Sequence, residues 1–369
     1  MYNDILSGKS HEMNLIDLFS GCGGFSLGAH KAGFRVSVAV DNDAILTSSF
    51  AANFPDSKLL LRDIASLDAS AVKAAVQAPV DGIFGGPPCQ GFSAIGRRNA
   101  NDPRRLLLGH FFRLVQGVCP KFFVMENVRG LEWADSRGVL EEAIKRVKDD
   151  YSIFGPHVFD AAEFGAATRR PRLFVIGIHK DHGDALRPAD FTTLKHPAAT
   201  VRSAIGDLKS AISIGDERGF DVWRISQPGR PSSYASLLRS KNGTFTGQRR
   251  TKHSTEVVRR FEKVPQGGID YIGRHQRLDW EGQCPTLRAG TGADKGSYQS
   301  VRPLHPDEPR VITVREAARL QGFPDGHRFH PTVWHSFRMI GNSVSPIMAE
   351  AIFSAISKRL GASASATVN

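Results

Sequence analysis

The chain has 369 residues, enough for two lobes at roughly 150 residues each. Its 41% hydrophobic and 23% charged content excludes a disordered or collagen-like chain, and no apolar run approaches the ~18 residues that cross a bilayer. Lys plus Arg number 48 against 37 Asp plus Glu, a net charge of +11, and four scattered cysteines make no disulfide framework, so the expectation is a reduced, basic, cytoplasmic protein without a secretory signal, whose partner is a polyanion.

The first predicted strand, residues 15–19, runs into Ser20-Gly-Cys-Gly-Gly24 and a helical stretch ending at Ala32. Glycine lets such a loop turn tightly and approach a ligand. Gly21 and Gly23 have the spacing of a nucleotide fingerprint, but Ser26 holds the third glycine's place. Alone, the segment reads equally as a cofactor loop or a structural turn. The second strand, 36–40, ends at Asp41-Asn-Asp43, where a carboxylate can accept from both hydroxyls of a ribose. Residues 44–53 read as a helix stopped by Pro55. The third strand, 59–61, ends at Arg62-Asp-Ile64, and Asp63 can accept from an adenine amino group. Both Asp41 and Asp63 also suit helix capping. The fourth strand, 82–84, ends in Gly85-Gly-Pro-Pro-Cys89; the fifth, 122–125, ends in Glu126-Asn127; the sixth is 173–176. Polar or glycine-rich residues at the carboxyl ends of alternating strands predict an open, doubly wound, mostly parallel α/β sheet with its site there.

Within Gly86-Pro-Pro-Cys-Gln-Gly-Phe-Ser93, two prolines stiffen the chain before Cys89. A rigid loop at a strand end can present a thiol, and the thiolate is the strongest nucleophile among common side chains. Cys119 and Cys284 read instead as small buried hydrophobes, and Cys22 as a packing or loop residue. No Cys-x-x-Cys pair or histidine at metal spacing accompanies them, so no metal is expected. Residues 1–180 hold 21 Lys plus Arg against 19 Asp plus Glu, whereas residues 181–369 hold 27 against 18, so most of the positive excess lies in the second half. That half is either a solvated basic surface or a phosphate-contacting lobe.

In order, Asp17-Leu-Phe-Ser-Gly-Cys-Gly-Gly24, Asp41-Asn-Asp43, Asp63-Ile64, Gly86-Pro-Pro-Cys-Gln-Gly-Phe-Ser93, Glu126-Asn-Val128, residues 169–172, Arg315-Glu-Ala-Ala-Arg-Leu-Gln-Gly-Phe-Pro324 and Gly341-Asn-Ser-Val344 resemble the motifs of the DNA (cytosine-5)-methyltransferase family. The resemblance spans residues 14 to about 355. It implies a Rossmann-like catalytic domain of residues 12–185 and 311–362, the last segment returning to complete it. A smaller, irregular or β-rich target-recognition domain would occupy 186–310, with tails at 1–11 and 363–369. It also implies S-adenosylmethionine as methyl donor, S-adenosylhomocysteine as product, and double-stranded DNA as partner. The chain would be a monomer from a restriction-modification system with a cognate endonuclease, or an orphan enzyme.

The resemblance gives chemistry to each motif. Cys89 would add to C6 of a flipped-out cytosine and Glu126 would donate at N3, which requires a raised pKa. Arg170 and Arg172 would supply a contact to the cytosine carbonyl and hold the catalytic loop or a phosphate; ordinary surface charge is the alternative. Thr168 stands where the family has glutamine. Phe19, Gly21, Gly23, Asp41, Asn42, Asp63, Ile64, Leu107, Asn342, Ser343 and Val344 would line the methyl donor. Pro88, Gln90, Ser93, Arg97, Arg98, Asn127, Thr286 and Leu287 would meet DNA, with residues 93–105 similar to the loop that closes over substrate. Gly247-Gln-Arg-Arg-Thr-Lys252 and Arg259-Arg260 are candidates for backbone contacts or solvated charge. The glycine-rich Gly290-Thr-Gly-Ala-Asp-Lys-Gly-Ser297 lacks a Gly-Lys-[Ser/Thr] ending, so it is no triphosphate loop. An RNA cytosine-5 methyltransferase of similar fold and a catalytically silent DNA-binding homologue are the rival readings.

Overall fold

The computed structural model describes residues 12–88, 105–132, 134–226, 229–289 and 302–366. The first half alternates β1 (Asn14–Leu18), α1 (Gly24–Lys31), β2 (Arg35–Asp41), α2 (Phe50–Asn53), β3 (Lys58–Leu61), α3 (Ala69–Val76), β4 (Gly82–Gly85), α4 (Arg105–Val118), β5 (Phe122–Asn127), α5 (Ala134–Lys145), β6 (Tyr151–Asp160) and β7 (Pro171–His179). These seven strands form one sheet in the order β3-β2-β1-β4-β5-β7-β6. The first five run parallel, and β7 pairs antiparallel with β5 and with β6. Strand order reverses between β1 and β4, which opens a crevice at their carboxyl ends.

Parallel strands sandwiched between helices must be apolar on both faces, and β1 shows how. Leu15 joins the cluster of α1 and the C-terminal helix, while Ile16 and Leu18 face Val72, Phe111 and Val115 on α3 and α4. The polar Asp17 is fully buried and accepts a 2.5 Å hydrogen bond from Ser26 Oγ. The serine in the third glycine's place thus gives one oxygen of this buried carboxyl a donor, while Oδ1 has no partner among the described residues.

Three expectations need correction. Residues 44–53 contain only the four-residue α2, because Asp43 takes the Ile45 and Leu46 amides into a turn. The strand β6 is absent from the sequence reading because Gly155-Pro156 interrupts its apolar pattern, and its register with β7 shifts at that place. Cys119 is exposed rather than packed.

The second half holds α6 (Val201–Ile205), β8 (Ala211–Glu217), β9 (Phe220–Ile225), α7 (Ser233–Leu238), β10 (Thr244–Thr246) and α8 (Thr255–Glu262). The three strands form an antiparallel sheet in the order β10-β9-β8. Then come α9 (Val314–Gln321), α10 (Val333–Asn342) and α11 (Pro346–Ala366). The apolar stripe of α11, Met348, Ala351, Ile352, Ala355 and Ile356, is buried beside Phe25 and Ala29 of α1. Gly28 permits the close approach: a Cβ there would lie 2.7 Å from the Glu350 amide nitrogen. Among the described residues, Val333–Ala362 is apolar and long enough to cross a membrane, but most of it is buried inside the protein. The helix runs past residue 362 to Ala366, so the expected tail is partly helical.

Candidate active site

Glycine conformations shape the loop after β1. Gly21 and Gly23 have φ of 50° and 83°, and Phe19 itself sits at 66°. In this path the Phe19 and Ser20 amides both reach the Val40 carbonyl, at 2.8 and 3.1 Å. Asp41 holds the loop from β2: its Oδ2 accepts from the Gly21 amide and its Oδ1 from the Asp43 amide, each at 2.8 Å. Burial raises the Asp41 pKa, and those amides oppose the shift. Asp41 caps no helix; the Ile45 and Leu46 amides that follow are taken by Asp43, in a turn. Asp63 does cap the turn Ile64–Ser66, yet it stays exposed. Asn42 is exposed, while Ile64 is buried and Leu107 half-buried in the core below.

The C-terminal return closes the same loop. Ser343 packs so tightly on α1 that a Cβ at Gly24 would lie 2.7 Å from the Val344 carbonyl oxygen and collide with Ser343 Oγ. Asn342 is exposed and Val344 buried. Gln321 fixes this turn, its Nε2 donating to the Ile340 and Ser343 carbonyls at 2.9 and 3.0 Å. His327 touches the other side, its Nε2 3.1 Å from the Cys22 carbonyl and 3.2 Å from Asn53 Nδ2. Neither residue stood out by chemistry in the sequence; Gln321 lay inside a quoted motif that carried no role.

Glu126 lies at the end of β5, 8% exposed. Its Oε1 meets Arg172 Nε at 2.9 Å. Burial raises its pKa, while Arg172 and then Arg170 pull it back. Gly86 leaves room for the carboxylate, since a Cβ there would sit 2.8 Å from Oε2. The neighbouring Asn127 donates from Nδ2 to the Pro87 carbonyl at 3.1 Å. The root of the Pro-Pro-Cys loop is thus tied to the strand that carries Glu126. Pro88 is half-buried at the end of this root. Cys89, Gln90, Ser93, Arg97 and Arg98 lie outside the described residues, as does the glycine-rich stretch 290–297.

The two arginines have different surroundings, and neither is surface charge. Arg170 is 0% exposed, with Nη1 donating to the Leu287 carbonyl at 3.0 Å and Nη2 to the Gly341 carbonyl at 2.7 Å. Arg172 is the one that faces Glu126. Thr168 is buried and donates to the Cys284 carbonyl at 3.1 Å, beside an Arg169 amide that uses the same oxygen. Thr286 Oγ1 donates to the Arg169 carbonyl at 2.7 Å, and Leu287 is buried. Residues 284–287 therefore lie along 167–170, and the threonine fills a contact made by a short side chain. Burial pushes the Cys22 thiol up to about 12 and raises Cys284 further, so both stay protonated. Among the described residues no group of three or more His, Cys, Asp or Glu is placed to hold a metal.

The basic candidates of the second half are largely paired. Arg249 meets Asp216 at 2.6 Å, Arg250 meets Glu308 at 3.0 Å, and Arg260 meets Asp270 at 3.0 Å.

Residues 13–358 match the family model described as C-5 cytosine-specific DNA methylase. A relative named Type II methyltransferase M.XorII, from Xanthomonas oryzae pv. oryzae, is 38% identical over 94% of this chain and 84% of its own. Type II methyltransferase M.DdeI, from Desulfomicrobium norvegicum, is 32% identical over 94% of this chain and 88% of its own. A prophage-encoded E. coli protein, whose crystal structure is described as that of a DNA modification methyltransferase, superposes with a TM-score of 0.82 at 39% identity, covering 95% of this chain and 100% of that one. The S. pombe Dnmt2 methyltransferase, at 16% identity and a TM-score of 0.62 over 95% of this chain and 99% of its own, shares the fold.

Proposed function

The chain belongs to the C-5 cytosine-specific DNA methylase family and is a DNA cytosine-5 methyltransferase, and we propose that Cys89 is its nucleophile, Glu126 its proton donor at N3 and Arg172 its contact to the cytosine carbonyl. The observation that carries this reading is Glu126: a buried carboxyl with a raised pKa, paired to Arg172, at the strand end tied to the loop that bears Cys89.

Cytosine C5 is a weak nucleophile on its own. Addition of the Cys89 thiolate to C6 pushes the electron pair of the C5–C6 double bond into the ring, and a proton from Glu126 at N3 neutralises it. C5 then behaves as an enamine carbon. Loss of the C5 proton after methylation re-forms the double bond and expels the thiolate. The base must leave the helix for this, since its ring is inaccessible in the stack. Arg172 serves twice, holding the Glu126 carboxylate and offering a guanidinium to the carbonyl beside N3.

Enzymes of this family are S-adenosylmethionine-dependent, and the residues here fit that donor. The loop 19–24 turns through left-handed conformations, the hydroxyl of Ser20 is buried with no partner among the described residues, and Asp41 and Asp63 stand at the ends of β2 and β3. Phe19, Gly21, Gly23, Asp41, Asn42, Asp63, Ile64 and Leu107 would hold it, with Asn342, Ser343 and Val344 closing the pocket. When bound, the donor supplies an electrophilic methyl group. Residues 12–185 with 311–362 form the catalytic domain in this reading, and 186–310 read the target. The type II relatives support a place in a restriction-modification system, the enzyme acting as a cytoplasmic monomer beside an endonuclease of the same specificity.

A duplex in which 5-fluorocytosine replaces the target base tests the assignment. Fluorine blocks the final loss from C5, so wild type should form a covalent adduct that survives denaturation. Cys89→Ser should form none; an adduct with the serine variant would refute the nucleophile.

A further inference from the structure

Residues 324–327 form a turn after α9, closed by the His327 amide donating to the Pro324 carbonyl at 3.0 Å. The turn is held to the small sheet on one side and touches the loop after β1 on the other. Arg315, 0% exposed, donates from Nη1 to the Pro324 carbonyl at 2.8 Å and from Nη2 to the His327 carbonyl at 2.9 Å. Its Nε donates to the Thr246 carbonyl of β10 at 3.0 Å. The His327 ring is 4% exposed and sits among Phe54, Phe323 and Phe329, with centroids 6.0, 4.8 and 5.0 Å away. Phe54 in turn covers Gly23, where a Cβ would collide with its ring. The imidazole is thus fixed against the loop, its Nε2 3.1 Å from the Cys22 carbonyl and 3.2 Å from Asn53 Nδ2.

Those two neighbours make opposite demands. A carbonyl needs a donor and an amide N–H needs an acceptor, and one nitrogen of a neutral imidazole is either one or the other. Burial, and then the Arg315 guanidinium, push the His327 pKa down to about 3, so the ring is neutral. Burial also decides which neighbour is served. Cys22 is 2% exposed, and leaving its carbonyl without a donor costs more than leaving one N–H of the half-buried Asn53 to solvent. The rest of the Asn53 amide is already engaged, Nδ2 donating to the Arg328 carbonyl and Oδ1 accepting from the Arg328 amide, each at 2.8 Å. The favoured tautomer therefore carries its proton on Nε2 and donates to Cys22.

The place of this bond gives it a consequence. The Gly23 amide donates to the Ser20 carbonyl at 2.9 Å, so the Cys22–Gly23 peptide is pinned at both ends, its N–H by Ser20 and its C=O by His327. Gly23, at φ 83°, then starts α1. We propose that His327 is a positioning residue for methyl transfer: protonated at Nε2, it holds the Cys22–Gly23 peptide, and with it the loop 19–24, in the shape that binds the methyl donor. Arg315 carries the tie on to the small sheet. The proposal rests on the reading of that loop as the donor site, and His327 acts on it through the backbone rather than on the donor itself.

The test compares wild type, His327→Phe and His327→Gln as full chains. Phenylalanine keeps the aromatic packing and loses the donor, whereas glutamine keeps an N–H donor. Titration calorimetry with S-adenosylhomocysteine should show His327→Phe binding about tenfold more weakly and His327→Gln near wild type. Affinity for a duplex carrying the site found by bisulfite sequencing, measured without S-adenosylhomocysteine, should be the same in all three. NMR of the ligand-free wild type with isotope-labelled histidine nitrogens, His327 being the signal lost in His327→Gln, should place the proton on Nε2. Unchanged S-adenosylhomocysteine affinity in His327→Phe would overturn the proposal, as would a glutamine variant as weak as the phenylalanine one. A ring protonated at Nδ1 would also overturn it, by giving Nε2 to Asn53. An equal loss of duplex affinity would do the same, because it marks a general disturbance of the fold. Wild type that carries the Nε2 proton and yet binds no S-adenosylhomocysteine would instead overturn the donor reading, and the proposal with it.

Discussion

Glu126 combines two opposing influences on one carboxyl: burial favours the protonated form, and Arg172 favours the ionised one. The first wins, so the group remains protonated to higher pH than an ordinary glutamate. As pH rises through that raised pKa the proton for N3 is lost, whereas the Cys89 thiolate population grows. Turnover should therefore follow a bell whose descending limb belongs to Glu126. Glu126→Gln should lower kcat by about 10²–10⁴ and abolish that limb, while DNA affinity stays near wild type; a retained descending limb would assign it elsewhere. The position of Glu126 at a strand end was readable from its neighbours in the sequence. The difference between Arg170 and Arg172 was not, because adjacent motif positions say nothing of which guanidinium is buried against backbone and which faces the acid.

The carboxyl-end loops of β1, β2, β4 and β5 were legible because short apolar runs stop abruptly at glycine or acid residues. What escaped were tertiary ties. Arg170 joins three segments distant in sequence, β7's approach, Leu287 and Gly341, and a charged residue is not an obvious core member. Replacing it with Met should leave two buried carbonyls without donors, at about 1–3 kcal/mol each. Thermal unfolding should show a clear fall in Tm for Arg170→Met. Arg170→Lys should recover only part of it, since an ammonium lacks the planar fork that spans two acceptors. An unchanged Tm would mean the tie is not structural. The buried pairs of α9, Arg319 with Asp325 at 2.7 Å and Arg310 with Glu316 at 2.9 Å, escaped for the same reason.

At the scale of the molecule, the chain is one long sheet completed by its own C-terminal helix, with a smaller sheet inserted in sequence between. The charge surplus concentrates in the half that holds the insertion, though several of its arginines are neutralised by acids. DNA affinity should still fall steeply with salt, log Kd against log salt rising by about 0.9 per phosphate contacted. A flat dependence would mean that the basic half faces something else. The account as a whole is tested most directly by bisulfite sequencing of plasmid DNA incubated with the protein and S-adenosylmethionine, beside Cys89→Ser. Wild type should leave cytosines of one recognition context resistant to conversion and the variant none. Full conversion of every cytosine after wild-type treatment, or equal protection by the serine variant, would contradict it.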